Sequence, residues 1–253
     1  MKKDTENLRS HLLALMKDVS LPINEFSNLQ ISEKLSTARS AFIFGYQTAL
    51  KTSIEELSFS LDELPASRRG FSLEGASMAI VLIDELSKSD KPLLQELLKE
   101  KSHAEKKLYA IGVGWAVARL QKPVGWIPTS LDKKYSGAVA DGLGFHHGFF
   151  NHFRVFRNGI PKNTSFNTNY DRGLGRALWF FFQGDFKGLY NAIQQFSIER
   201  HPQLWKGIGT ACAFTGNSTF KTTLLEIGKK YEKDIIFGVN VGNNLLNSLV
   251  KLK

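Results

Sequence analysis

The densest group of chemically versatile side chains lies in one short segment near the middle of the chain. The segment reads Asp141-Gly142-Leu143-Gly144-Phe145-His146-His147-Gly148-Phe149-Phe150-Asn151. On a helix, His146 falls on the same apolar face as Phe149, whereas His147 falls on a separate polar face. Histidine titrates near neutral pH, so His146 in an aromatic wall is suited to proton transfer or ligand binding. The alternative is a core histidine bonded to a neighbouring helix.

Charged side chains also interrupt apolar helical stretches elsewhere. Glu74 lies among small residues, and Arg119 follows Trp115 by about one turn. Arg172 and Arg176 fall on one helix face. Because buried charges are costly unless paired, opposite charges on different helices are expected to converge. Two interpretations stay open: an ion-pair network that locks successive helices together, or a polar floor beneath a ligand cavity.

These residues define the predicted site. His146, Glu74 and Arg176 are its predicted catalytic groups. The predicted ligand-binding residues, which are aromatic or polar, are Trp115, Arg119, Asp141, Phe145, His147, Phe149, Arg172 and Trp179. A mainly apolar and aromatic pocket with a few charges is typical of a small-molecule site.

Familiar cofactor and metal motifs are absent from the sequence. Gly112-Val113-Gly114 has no third glycine at dinucleotide-binding spacing, and Gly148 comes one position too late after Gly142-Leu143-Gly144. Only one Glu is followed three residues later by His, Glu100 with His103, whereas a di-iron bundle needs two such steps, and no zinc-type Cys/His spacing occurs. The sequence therefore predicts no metal site, and the cofactor, if one is used, is unknown.

A Gly-apolar-Gly step recurs along the chain and predicts the fold. Its copies lie roughly 30 to 37 residues apart, the length of one helical hairpin in a repeat protein. They are Gly112-Val113-Gly114, Gly142-Leu143-Gly144, Gly173-Leu174-Gly175 and Gly207-Ile208-Gly209. We predict an all-α fold of tandem helical hairpins, either an open superhelix or a closed toroid.

A longer echo predicts an internal duplication. A shift of about 137 positions aligns Pro65 with Pro202 and Gly70 with Gly207, without a gap. We expect one all-helical domain over residues 1–253, with a first repeat half over 32–134 and a second over 141–253. Individual helices are expected over 72–87, 106–120, 142–156 and 171–183, with Asp141 as the N-cap of the third.

Composition limits the function classes. The net charge is +9, from 33 basic and 24 acidic residues, but the lysines are dispersed among glutamates, as on solvated helix faces. No nucleic-acid partner is therefore predicted. No apolar run is long enough for a membrane span, and Leu12 to Met16 is too interrupted by charge for a signal-peptide core. With Cys212 as the single cysteine, these features predict a cytoplasmic location.

Five blocks, in order over about residues 40–216, resemble a bacterial domain-of-unknown-function family associated with enediyne polyketide biosynthesis gene clusters. They begin at Arg69-Gly70-Phe71, Gly112-Val113-Gly114, Asp141-Gly142-Leu143, Asp171-Arg172-Gly173 and Leu204-Trp205-Lys206. The resemblance implies a role beside an iterative synthase that makes a long linear polyene. His147 stands where an acidic residue is more usual in that family. The resemblance carries no catalytic residues with it.

Two functions follow from these observations. The first is a cytoplasmic biosynthetic enzyme or accessory protein that acts on or binds an apolar polyene or lipid-like molecule, with His146 as proton carrier. It predicts that His146, Glu74 and Arg176 converge in a cavity. The second is a non-catalytic helical-repeat scaffold that binds a protein partner on its concave face. It predicts that the same charges are paired between repeats and that the largest exposed patch is apolar.

Overall fold

A computed structural model of the chain describes residues 2–15, 29–88, 90–123, 125–150 and 168–250. Every regular element in these ranges is helical, so the prediction of an all-α fold is confirmed. The α-helices there are α1 (Lys2–Leu15), α2 (Leu29–Lys51), α3 (Ile54–Asp62), α4 (Ala66–Ser87), α5 (Leu93–Leu97), α6 (His103–Arg119), α7 (Ser136–Phe150), α8 (Thr168–Phe182), α9 (Phe186–Gln194), α10 (His201–Thr215), α11 (Ser218–Ile227) and α12 (Glu232–Val250). Short 3₁₀ helices span Lys133–Tyr135, Ile198–Arg200 and Lys229–Tyr231.

Local sequence explains where several helices begin. Ser53 and Ser102 start α3 and α6 with full capping boxes, in which a glutamate three residues later bonds back to the cap backbone. Asp185 and Asn217 cap α9 and α11 by accepting a bond from a first-turn backbone N–H. These polar residues bond the N–H groups that a helix start leaves without intrahelical partners.

Helices α6 and α8 begin three residues earlier than the sequence predicts, and helices α4 and α7 begin six residues earlier. Helix α4 starts at Ala66, directly after Pro65, because nothing between there and residue 72 breaks the helix. Helix α7 starts at Ser136, since a 3₁₀ turn capped by Asp132 runs straight into it. Asp141 is therefore inside α7 and not its N-cap. The predicted continuation of this helix over 151–156 lies outside the described residues.

The chain divides into two compact units. The first comprises residues 1–20, 37–139 and 249–253, and the second comprises residues 21–36 and 140–248. Helices α4 and α6 form the core of the first unit, and their central residues are buried. Helices α8 and α10 form the core of the second unit, and their side chains Trp179 and Trp205 are fully buried.

The Gly-x-Gly steps bring helix backbones into contact on two opposite sides. In α8, a β-carbon at Gly173 would overlap the carbonyl oxygen of Asp141 in α7, and one at Gly175 would overlap that of Leu204 in α10. Residues two apart on a helix point about 200° apart, so each glycine faces a different neighbour. The motif therefore lets one helix pack closely against both the preceding and the following glycine-containing helix.

The same register recurs between the glycine-containing helices of the second unit. A β-carbon added at Gly144 would overlap the carbonyl oxygen of Tyr170, which lies three residues before Gly173. In turn, a β-carbon added at Gly173 would overlap the carbonyl oxygen of Asp141, which lies three residues before Gly144. The pairs Gly175 with Gly207 and Gly209 with Gly238 follow this reciprocal rule. Each glycine Cα–H thus points at a carbonyl oxygen of the facing helix, the geometry of a weak Cα–H···O bond.

The first unit repeats this register with one substitution. Gly45 of α2 and Gly75 of α4 form a reciprocal pair against the carbonyls of Ser72 and Phe42. Between α4 and α6, the partner of Gly112 is Ser77. Ser77 donates its hydroxyl to the carbonyl oxygen of Tyr109 at 2.7 Å, so a side-chain hydrogen bond replaces the glycine contact.

The glycine contacts do not follow the 137-residue shift at α4. The shift aligns Gly70 with Gly207, whereas the α4 glycine that overlaps a carbonyl of a preceding helix is Gly75. The internal duplication, like the division into repeat halves over 32–134 and 141–253, therefore stays a prediction.

Substituting alanine for Gly173 tests the close packing. At an ordinary helix position this change stabilises by roughly 1 kcal/mol. Here we expect net destabilisation of about 2–3 kcal/mol, because the methyl group meets the fixed carbonyl of Asp141. Urea unfolding followed by circular dichroism measures the change, with Asn240→Ala on the exposed face of α12 as control. A Gly173→Ala variant as stable as the parent would contradict this packing.

Candidate functional site

Buried ion pairs join successive glycine-containing helices. Arg176 of α8 donates from Nε to Oδ1 of Asp141 in α7 at 2.8 Å. Arg200, just before α10, donates from Nε to both carboxylate oxygens of Asp171 in α8. Both side chains are almost fully buried. In the first unit, Arg69 of α4 donates to Glu105 of α6 at 2.8 Å. The charges compensate each other where water is largely excluded, and most completely in the pair of Arg200 and Asp171.

An aromatic cluster lies beside one of these ion pairs. The ring centroids of Phe145 and Phe149 are 5.8 Å apart, and Phe180 of α8 packs edge-on to Phe145 at 5.2 Å. The Arg176 guanidinium sits 5.0 Å from the centroid of Phe145, within cation–π range. We call Phe145, Phe149 and Phe180 the aromatic cluster. With Arg176 and Asp141 it combines an apolar surface with one polar end.

His146 lies in the same part of α7. Its side chain is buried, and its ring centroid is 4.7 Å from that of Phe150. Phe150 in turn packs edge-on to Phe149 at 5.0 Å, so the histidine is linked to the aromatic cluster through one further ring. The sequence correctly predicted this apolar, aromatic setting for His146.

His147 faces a different partner. Its Nδ1 lies 2.9 Å from the hydroxyl of Tyr170 in α8. Burial raises the pKa of Tyr170 to about 12, although the positive charge of Arg200 opposes the shift. The phenol therefore keeps its proton, and it shares one hydrogen bond with Nδ1 of His147 whose donor is set by the imidazole tautomer. His147 thus ties α7 to α8.

Histidine–tyrosine pairs recur in the described residues. Nδ1 of His103 lies 3.1 Å from the Tyr135 hydroxyl, and Nδ1 of His201 lies 3.0 Å from that of Tyr231. His201 also contacts the carbonyl oxygen of Phe196 through Nε2 at 2.9 Å. Because a carbonyl only accepts, Nε2 carries the proton, and Nδ1 accepts from Tyr231 when the ring is neutral.

The remaining predicted residues are distributed over both units. In the first unit, Glu74 is buried, Trp115 packs on Phe42 with ring centroids 4.4 Å apart, and Arg119 is exposed at the end of α6. The backbone carbonyl of Glu74 lies directly against Gly112 of α6. The sequence grouped these residues with others that belong to the second unit.

Two more predicted residues lie in the second unit but outside the aromatic cluster. Trp179 donates its indole N–H to Thr215 at 2.8 Å and packs edge-on to Phe186. Arg172 donates to the side chain of Gln203 at 2.9 Å, and its guanidinium lies 5.8 Å from the ring centroid of Phe237. The second unit thus brings together Asp141, Phe145, Phe149 and Arg176, with His146 nearby through Phe150.

Sequence reasoning missed several residues of this arrangement. Phe180 joins the aromatic cluster, and its position one turn after Arg176 was a usable signal. The buried pair of Asp171 and Arg200 had a weaker sequence signal, since the two charges are far apart in sequence. Tyr170 had no sequence signal, because its partner His147 lies on another helix and residue spacing does not predict contacts between two helices.

No metal centre is seen among the described residues, which contain no group of three or more His, Cys, Asp or Glu side chains arranged to hold an ion. No helix in the described part of the chain combines the length and apolar character needed to cross a membrane.

The fold and site define an all-helical protein whose glycine-containing helices pack backbone to backbone, with paired charges and an aromatic cluster at their sides. Residues 5–244 match the model of the family described as "Protein of unknown function (DUF1702)". The chain belongs to this family. No curated protein and no solved structure matches it.

Breaking the Arg200–Asp171 pair tests its structural role. Arg200→Met is expected to destabilise the protein by about 3–5 kcal/mol, because Asp171 is left buried and uncompensated. Lys134→Met is the matched control, since Lys134 pairs with Asp132 where both side chains are largely exposed, and water screens such a pair so that it contributes little to stability. Equal effects of the two substitutions in urea unfolding would contradict the assignment.

The reactivity of Cys212 tests its burial. Burial raises the pKa of the Cys212 thiol to about 12, although Lys221 and Lys34 oppose the shift. We expect an aromatic disulfide reagent at pH 8 to label the native protein far more slowly than the urea-unfolded protein. The stability linked to this thiol is present below pH 9.0 and falls as the pH rises toward about 12, because the unfolded thiol ionises first. Equally fast labelling of both states would contradict the burial.

Proposed function

We propose that this protein is a cytoplasmic biosynthetic enzyme or accessory protein that binds an apolar, unsaturated small molecule at the aromatic cluster of its second unit. The observation that carries the proposal is the position of Phe145, Phe149 and Phe180 beside the part-buried pair of Arg176 and Asp141. Small-molecule sites typically combine aromatic walls with a few fixed polar groups. The ion pair supplies that polar end.

The ligand class follows from the chemistry of the cluster. Phenylalanine rings offer π faces and edges but no hydrogen bonds, so they suit a conjugated chain better than a sugar or nucleotide. A terminal carbonyl or carboxylate of such a chain would be recognised by the Arg176 guanidinium. The resemblance to the family associated with enediyne gene clusters supports the same ligand, a linear polyene in secondary metabolism.

Any proton transfer in this site is assigned to His146. Its imidazole is buried within one ring of the aromatic cluster, and histidine is the side chain that most often transfers protons in enzymes. Arg176 and Glu74 remain the other proposed polar groups, Arg176 beside the cluster and Glu74 in the first unit. A folded His146→Ala variant with full turnover of an identified substrate would remove this role.

A second function is supported by a different observation. Buried charges of the second unit, Arg176 with Asp141 and Arg200 with Asp171, are paired between successive glycine-containing helices. This is the pattern expected of a scaffold that holds its helices in fixed positions and binds a protein partner. The half-exposed ring of Phe237, beside Lys206 and Arg172, offers such a partner an apolar contact.

The recurring glycine register supports a tandem arrangement of helical hairpins. Each hairpin would contribute one glycine-containing helix to the row and one shorter helix beside it. The proposal rests on the reciprocal contacts of Gly144 with Gly173, Gly175 with Gly207, and Gly209 with Gly238.

Native mass spectrometry before and after solvent extraction tests ligand binding. We expect the purified protein to carry an apolar molecule with a mass of a few hundred daltons, which solvent extraction removes. The extracted molecule should show the ultraviolet absorption of a conjugated chain. Phe149→Leu should lower the retained fraction, because it removes one aromatic wall but keeps an apolar side chain. Phe237→Leu, at a half-exposed ring outside the cluster, is the matched control.

Two outcomes would count against the small-molecule function. The first is a bare protein mass together with specific, stoichiometric capture of a protein partner that Phe237→Leu weakens, which would favour the scaffold. The second is a retained ligand that both variants hold equally well, which would place the ligand elsewhere.

A further inference from the structure

A cavity of about 310 Å³ opens in the first unit at the C-terminal end of α4. Its volume lies at the lower end of the range for small-molecule sites. Three segments form its walls: the last turns of α4, the start of α5 and the loop before the 3₁₀ turn. The lining residues are Val81, Asp84, Glu85, Lys88, Pro92, Pro128, Thr129 and Ser130.

Asp84 fixes the shape of the cavity. Its Oδ1 accepts the backbone N–H of Leu93 at 2.8 Å, and its Oδ2 accepts that of Leu94 at 3.0 Å. The start of α5 is therefore tied to α4 through one carboxylate. Each oxygen has a second lone pair, so the carboxylate retains capacity to accept bonds from a ligand.

The other walls are restrained by the backbone. Pro92 and Pro128 have fixed φ angles and present apolar rings without N–H donors. Lys88 ends α4 in the left-handed conformation, with φ of 51°. A residue in this conformation is a common way for a helix to end.

Among the charges of the cavity, Asp84 is the one that favours a positively charged ligand, because Glu85 is paired with Lys122. Asp84 and Glu85 lie on the last turns of α4, where the helix dipole adds partial negative charge. Lys122 lies 3.2 Å from Glu85 and Lys88 lines the cavity, whereas Asp84 accepts its bonds from backbone N–H groups. Burial raises the pKa of the Asp84 carboxyl, with the Leu94 and Leu93 N–H groups opposing the shift. A cation beside Asp84 would offset this cost of burying its charge.

We infer that this cavity binds a small hydroxylated primary amine, with its ammonium on Asp84 and Glu85 and its hydroxyl groups on Thr129 and Ser130. An ammonium offers three donors, and the two carboxylates keep acceptor capacity beyond the bonds of Asp84 to backbone N–H groups and of Glu85 to Lys122. The serine and threonine hydroxyls both donate and accept, as ligand hydroxyl groups require. Val81 and the two prolines contact the carbon skeleton. This polar site goes beyond the proposed function, which concerns the aromatic cluster of the second unit.

Saturation-transfer NMR with glucosamine as probe tests the inference on the full chain. Glucose is the matched neutral probe, because it has a hydroxyl in place of the amine. We expect glucosamine to bind the wild-type protein and glucose to bind at least fivefold more weakly. Glu85→Gln should weaken glucosamine binding roughly tenfold, as expected for losing a charged hydrogen-bond partner.

Two further variants make the result decisive. Ser130→Ala removes a lining hydroxyl without changing the charge and should weaken both sugars to a similar extent. Glu226→Gln, at an exposed position of α11, is the control and should change neither. Circular dichroism checks that each variant folds. No glucosamine signal, equal binding of both sugars by the wild-type protein, or equal effects of Glu85→Gln and Glu226→Gln would each overturn the inference.

Discussion

The contact between a glycine Cα and a carbonyl oxygen of the facing helix is the constraint on which the described structure depends. It sets the spacing of α7, α8, α10 and α12 in the second unit and of α2, α4 and α6 in the first. At this spacing there is no room for side chains between the helices. Large aromatic and charged residues are therefore placed at the flanks of each contact.

The placement of charges follows from this packing. Arg176 and Asp141 reach each other because Gly144 and Gly173 bring their helices together, and Arg200 reaches Asp171 beside a second close contact. Removing water from these charges is tolerated because each meets its counter-ion at hydrogen-bond distance. The aromatic cluster lies along the same flank as Arg176, so an apolar surface and a polar end are held in one rigid arrangement.

The sequence predicted what depends on local spacing and missed what depends on contacts across helices. The Gly-x-Gly steps indicated close helix packing, and the apolar face of α7 correctly placed His146 among aromatic rings. Asp141 was wrongly predicted as an N-cap, because no helix periodicity shows that α7 begins at Ser136. The pairing of Arg200 with Asp171 was missed, because residue spacing in the sequence does not show that these two side chains meet. Nor did the sequence separate Glu74 and Trp115, in the first unit, from Arg176, in the second.

A fluorescence titration with a conjugated tetraene fatty acid, which brightens on leaving water, tests the central claim most directly. We predict saturable binding of one molecule per chain, weakened at least fivefold by Phe149→Leu and by Arg176→Met but unchanged by Phe237→Leu. Binding that does not saturate, or that all three variants share, would show that the aromatic cluster is only core packing. The protein would then be better described as a helical scaffold.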